Sequence, residues 1–225
     1  MENLWATFIN FWPTLQTGLL DTLYMTAASV TIAYALGLPI GILLVITTPD
    51  GLLPNRPINK VFGAVVNTFR SVPFILLAVI LIPVTRLIVG TAIGNTAAIV
   101  PLVIAATPFI ARLVETTLSE LDKGVIDAAK SMGASNLQII LKVMLPESVP
   151  SLLRGLAITT INLISLSAMA GAVGAGGLGR IALRYGHQRS QTDLMFIAII
   201  FIVAIVAIIQ VSFNLLAAKI DRRAV

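Results

Sequence analysis

The fold class predicted here is an all-α integral membrane protein of five spans forming a single domain over residues 1–225, and three observations predict it. The 225-residue chain is 57% hydrophobic and 11% charged, with a mean hydropathy of +0.98, more apolar surface than a soluble domain of this length needs. Its charged residues are spaced so that the intervals between them can cross a bilayer. Its basic residues collect on alternate connections, as they do in chains with a fixed membrane orientation.

Residues 1–20 carry Trp5, Phe8, Phe11 and Trp12 on roughly one helical face, and tryptophan favours the membrane–water interface, so an interfacial segment is expected. Between Asp21 and Asp50 lie 28 uncharged residues. At a ~1.5 Å rise, ~20 residues cross the ~30 Å hydrocarbon layer, which predicts a first span over about 20–47. Ala33, Gly37 and Gly41 form a small-residue stripe suited to close helix contact, and Pro39 predicts a kink. Asp50 to Pro57 reads as a turn-rich loop. The second span, about 61–85, is harder to place. Only 15 uncharged residues separate Arg70 from Arg86, so the span either borrows from Val61–Phe69 or tilts little and ends early. In the first case Arg70 snorkels to the near surface or faces the helix bundle beside Pro73. Uncharged intervals of 25 residues follow between Arg86 and Arg112, Arg154 and Arg180, and Asp193 and Lys219. They predict spans over about 95–117, 152–176 and 194–218.

The longest polar interruption, 119–146, reads as two short helices with a sharp turn. Ser119 with Asp122, and Ser135 with Gln138, fit capping-box spacing. Gly133 suits the left-handed residue that ends a helix, and Pro146 is predicted to stop the second helix. Val125, Ile126, Ala129 and Met132 recur at helical spacing on the first helix, and Ile139, Ile140, Val143 and Met144 on the second; both sets are expected to be exposed. Asp122, Lys123, Asp127, Lys130 and Lys142 keep the hook out of lipid. Chemistry alone leaves two readings, a plug for another protein or an amphipathic loop resting on the bilayer surface.

With five spans, eleven Lys and Arg fall on the side of the hook and the C-terminus and four on the other. The first side is predicted to be cytoplasmic, with the N-terminus outside and the C-terminus inside. This placement accounts for the net charge of +5 without a nucleic-acid partner; the partner implied is the lipid bilayer. The chain has no cysteine and no Lys or Arg before Arg56, which argues against a disulfide framework and a cleavable signal peptide.

The run Ser165 to Gly179 contains Gly174-x-Gly176-x-x-Gly179, formally a dinucleotide fingerprint. It ends a hydrophobic helix instead of joining a strand to a helix, so that reading is rejected. Tight helix packing through small residues and a pathway wall remain compatible. On the wall, Gly171 and its neighbours leave room for a solute, Ser165 and Ser167 offer hydrogen bonds, and Met169 is the one bulky, deformable group. No Walker pattern and no metal-ligand cluster is present, and His187 stands alone on a loop. No ionisable residue falls in the middle of a span after Arg112, which disfavours a proton relay.

Asp127-Ala128-Ala129, then Gly133, then Leu145-Pro146 is similar to the EAA loop of ATP-binding-cassette importer permeases, with Asp in place of Glu at 127 and Val in place of Ile at 143. Ala168 to Gly179, Phe69-Arg70-Ser71-Val72-Pro73-Phe74, Arg86 to Gly90 and Pro108 to Arg112 resemble the methionine-importer permeases, a likeness that runs from about residue 20 to 218. The resemblance implies the type I importer permease fold in a bacterial cytoplasmic (inner) membrane. It implies a homodimer with the translocation pathway at its axis, two cytoplasmic ATPase subunits that dock on the hook, and an external methionine-binding lipoprotein. Coupling would fall to Asp127, Ala128, Ala129, Gly133, Leu145 and Pro146, and the family's pathway-lining Met maps onto Met169. The chain itself would be no enzyme and hold no cofactor, ATP and Mg being bound by the partner ATPase. Preference between the methionine stereoisomers stays open. So do permeation of another small amino acid or polar solute, a secondary transporter acting alone, and a non-transporting scaffold.

Overall fold

The structure is a computed structural model that describes residues 4–189 and 191–221, His187 by its backbone alone. Every regular element among them is helical. Helix α1 (Leu4–Ile46) runs for 43 residues, about 65 Å at 1.5 Å per residue, twice the thickness of a hydrocarbon layer. The segment expected to lie apart over 1–20 is therefore, from Leu4 on, the first half of α1. Thr17 Oγ1 returns a 2.9 Å hydrogen bond to the Pro13 carbonyl, so the helix runs on past its first proline. Its aromatic face packs on neighbouring helices, with Phe8 6.4 Å from Phe201 and Phe11 6.1 Å from Tyr185.

Helix α2 (Arg56–Ser71) starts where the Asn55 side chain accepts from the Ile58 N–H, with Pro57 in the first turn, a position where proline's missing N–H costs nothing. It is amphipathic and is tied down by Asn59 donating to the Leu44 carbonyl at 2.7 Å and by Arg112 donating to Asn67 Oδ1 at 2.7 Å. At Val72–Pro73 the chain turns by 103° into α3 (Phe74–Ile80), because Pro73 offers no N–H and drives Val72 to extended backbone. α4 (Ile82–Val89) follows and ends on Gly90 at φ 82°. This corrects the second span: 61–85 is not one helix but parts of three. Among the described residues four helices are long and apolar enough to cross a membrane, five if the bent α2–α3 pair is one span.

α5 (Asn95–Ser119) packs along the second half of α1. The stripe of small residues makes this possible. A methyl group on Gly37 would fall 2.8 Å from Ile110, and one on Gly41 2.6 Å from the Ala111 carbonyl and from Val114. Met25, Ala33, Leu102, Ile110, Val114 and Leu163 form the centre of the core beside this contact. Gly41→Leu forces the two backbones apart, so overpacking should cost about 1–3 kcal/mol. A fall of several degrees in the thermal midpoint of the detergent-solubilised protein is expected, and an unshifted midpoint would contradict the close contact.

After α6 (Lys123–Ser131) and α7 (Asn136–Ile139), a π turn over Ile140–Met144 leads directly into α8 (Leu145–Ala172). Pro146 therefore does not stop the second hook helix. It occupies the first turn of α8, and the π turn before it, in which the Leu145 N–H reaches back to the Ile140 carbonyl, absorbs the geometry that a proline imposes on the preceding turn. Asn136–Ala172 is one helical rod of 37 residues. It stops at Ala172, short of the 176 expected for the fourth span, because Gly174 at φ 112° and Gly177 at φ 89° break it. α9 (Gly177–Ile181), a second π turn (Ala182–His187) and α10 (Thr192–Ile220) complete the chain. Arg154 of α8 pairs with Asp221 beyond α10 at 2.9 Å. Arg222 and Arg223, counted among the basic residues above, lie outside the described residues.

The ends of α1 and α5, the hook and the start of α8 gather at one end of the bundle, the hook end. The start of α5, residues 21–22 of α1 and the 173–177 break gather at the other, the far end.

Candidate functional site

The hook is built by local rules. Asp122 caps α6 by accepting from the Gly124 N–H at 2.8 Å. Ser119, expected to be that cap, is instead the last residue of α5, and its hydroxyl donates to the Thr116 carbonyl at 2.8 Å; an acidic side chain two residues before Gly124 outcompetes it. Gly133, at φ 79°, ends the helix. Its N–H donates to the Lys130 carbonyl at 2.9 Å and the Ala134 N–H to the Ala129 carbonyl at 3.1 Å, the paired bonds of a Schellman turn. Ser135 and Gln138 then form the predicted capping box, with the Ser135 N–H donating to Gln138 Oε1 at 2.9 Å.

The six residues matched to the coupling motif take distinct places. Asp127 and Ala128 are exposed, with Asp127 3.7 Å from Lys130. Ala129 is buried, and its small side chain lets α6 lie against the core beside Ile139 and Met144. Gly133 makes the turn; Leu145 is half-buried and Pro146 exposed at the hinge into α8. The apolar face is not the one predicted throughout. Ile139, Ile140 and Met144 point into the core, and the exposed apolar residues are Val125, Met132, Leu137 and Leu141. Met132 at the turn is 81% exposed. Leu137 and Leu141, four apart, carried the signal that would have found this face. A cleft of about 360 Å³ runs between the hook and the ends of α1 and α5, with Asp50, Glu115, Lys123, Asp127 and Lys130 on its walls.

The same rod that starts in the hook carries the candidate pathway face. Ile158, Ser165 and Met169 are exposed on α8 and Asn162 is half-buried; the spacing of three and four puts all of them on one face. Met169 is 47% exposed in the single chain. Asn162 was missed in the sequence, although it is the one amide in this stretch and lies three residues before Ser165. The other expected pathway residues are elsewhere. Ser167 is 2% exposed, and its hydroxyl donates to the Ile164 carbonyl at 2.7 Å, so it belongs to the core. Gly171 is a packing residue, since a methyl group there would fall 2.6 Å from the Arg180 backbone nitrogen. Arg70 is exposed in the last turn of α2, which packs mainly on α5 and α1.

Beyond Met169 the glycine break is clamped. The Gly94 N–H donates to the Gly174 carbonyl at 3.0 Å, the Gly176 N–H to Asn95 Oδ1 at 2.7 Å, and the Leu178 N–H to Thr22 Oγ1 at 3.0 Å. Polar atoms freed by the break thus find partners on α1 and α5, as backbone at membrane depth requires. Among the described residues no group of three or more His, Cys, Asp or Glu could hold a metal ion.

Residues 37–225 match the family described as binding-protein-dependent transport system inner membrane component. The chain is 51% identical over 209 residues, 93% of each chain, to the probable D-methionine transport system permease protein MetI of Vibrio cholerae. It is 48% identical over 181 residues, 80% of this chain and 82% of the relative, to the methionine import system permease protein MetP of Bacillus subtilis. In structure it is similar to a chain of the inward-facing MetNI methionine ABC transporter, with a TM-score of 0.93, 44% identity, and coverage of 95% of this chain and 99% of that one. An all-helical bundle whose hook and α8 form one rod, matched by this family over most of its length, belongs to the binding-protein-dependent transport system inner membrane components.

Proposed function

We propose that this chain is the membrane-spanning subunit of an ATP-driven methionine importer, acting as a homodimer with two cytoplasmic ATPase subunits and an external substrate-binding lipoprotein. The observation that carries the reading is the unbroken rod Asn136–Ala172, which joins an exposed hook to the face that bears Met169. The likeness to MetI, MetP and the MetNI transporter supports methionine as the solute. The hook end faces the cytoplasm, with the N-terminus outside and the C-terminus inside, in keeping with the excess of Lys and Arg on that side.

Asp127, Ala128 and Gly133, with the exposed Met132, Leu137 and Leu141, form the surface that meets the ATPase; Ala129, Leu145 and Pro146 hold that surface to α8. ATP and Mg belong to the ATPase subunit, and this chain contributes no catalytic group. When the two ATPases close, each hook moves, and the rod carries the displacement to Ser165 and Met169 at the dimer axis. The helix carries it because the helical backbone continues from Asn136 through the π turn to Ala172.

The test is uptake of labelled D- and L-methionine into vesicles that contain this chain, with the ATPase and binding protein supplied. ATP-dependent uptake is expected. Uptake driven by an ion gradient with no ATPase present would overturn the reading in favour of a secondary transporter, and preferential uptake of another amino acid would replace the substrate alone.

A further inference from the structure

We propose that the cleft at the far end, between the first half of α1 and α9 with its following π turn, binds a free zwitterionic α-amino acid. This rests on the importer reading above and names a second, peripheral place for its solute.

The cleft measures about 370 Å³, within the range of small-molecule sites. Thr14, Thr17 and Asp21 line it from α1, at the spacing of one helical face, and Arg180, Arg184 and Tyr185 line it from the other side. Asp21 is half-buried, while both arginines are exposed. Opposite charges thus share one cleft, yet no ion pair joins Asp21 to either arginine. The carboxylate lies against the glycine break: a methyl group on Gly176 would fall 2.5 Å from Asp21 Oδ2 and from Asn95 Oδ1. Among the described residues Asp21 is left as an acceptor with no cationic partner, facing guanidinium donors that are equally unspent.

An α-amino acid supplies both missing partners from neighbouring atoms. Its ammonium group complements Asp21. Its carboxylate suits the planar fork of Arg180 or Arg184, which matches carboxylate geometry better than a point charge does. Ile181 and Tyr185 offer an apolar wall to an uncharged side chain. A site of this kind on the external side would hold released solute near the pathway mouth and raise its local concentration. An ethanolamine phospholipid headgroup presents similar paired charges, so the experiment must separate the two sources.

The complex with its ATPase, in nanodiscs of phosphatidylglycerol and without binding protein, is titrated with radiolabelled methionine. Saturable binding is expected, with N-acetylmethionine and methionine methyl ester competing at least about tenfold more weakly, since each lacks one charge. Asp21→Asn should erase the preference over the N-acetyl compound, and Arg180→Gln with Arg184→Gln the preference over the ester. The analogue pattern is read on the wild-type protein, so it stands even if a variant folds poorly. Undiminished preferences in both variants, or no saturable binding by protein that takes up methionine with ATP and binding protein once placed in vesicles, overturn the proposal and leave the importer reading intact. Absent uptake removes the importer reading and this proposal with it. In nanodiscs containing phosphatidylethanolamine, methionine binding should persist; its loss, with a lipid retained by native mass spectrometry only when Asp21 is present, assigns the cleft to the headgroup and overturns the proposal.

Discussion

Gly133→Pro is expected to abolish ATP-driven methionine uptake while leaving the chain inserted and dimeric. Gly133 sits at φ 79°, and proline is locked near −65°. The substitution also deletes the N–H that donates to the Lys130 carbonyl at 2.9 Å. The Schellman turn cannot close, and α6 is swung away from α7, so Asp127 and Ala128 no longer share a surface with Met132 and Leu137. A docking contact weakened by about 3 kcal/mol lowers the coupled population about a hundredfold. The bundle core does not pass through Gly133, which is exposed and has open space for 4 Å around the position a methyl group would take, so the thermal midpoint should hold. Gly133→Ala gives a graded control. It meets open space and keeps the N–H, and it costs only the left-handed backbone, about 1–2 kcal/mol, so uptake should fall less. Uptake and co-purification of the ATPase are the measurements. Wild-type uptake by Gly133→Pro would mean that force enters the bundle somewhere else.

How far the sequence revealed this machine differs between its two halves. Local chemistry was legible. The Ser135–Gln138 box and the left-handed Gly133 depend on a few neighbouring atoms, and the structure has both. The small stripe of α1 was legible for the same reason, since Gly37 and Gly41 leave a groove that any neighbour fills. What depended on tertiary context was not. Pro146 reads as a stop because proline usually is one, yet a π turn upstream lets the helix pass through it. Ile139, Ile140 and Met144 have helical spacing but no mark to tell a face turned to the core from a face turned to water; the cover provided by Leu118 and Ala129 decides it. The 103° turn at Pro73 was concealed by counting uncharged residues, which measures length and not direction. Ser167 differs from Ser165 by two positions, about 200° around a helix, enough to move it from the open face into the core.

That same rotation isolates Met169 as the residue to test at the axis. Its side chain is 47% exposed in one chain, on the face shared with Asn162 and Ser165, and in the proposed dimer it meets the equivalent face of the second copy. A thioether there fills the axis without committing to one shape. Met169→Ala removes three heavy atoms from each of two copies, which opens a gap at the narrowest expected point. Full burial of such a group is worth about 2–5 kcal/mol; half-exposed, it should contribute less, so the fold is expected to survive. The effect appears as leak: labelled methionine should cross vesicles containing Met169→Ala without ATP several-fold faster than wild type, and basal ATP hydrolysis by the attached ATPase should rise as the closed state loses contact. Met169→Leu restores most of the volume and should leak less than the alanine variant. A leak that is the same in all three proteins, with unaltered basal hydrolysis, would return Met169 to ordinary packing and shift the barrier to another part of the α8 face, where Asn162 and Ile158 are the next side chains along it.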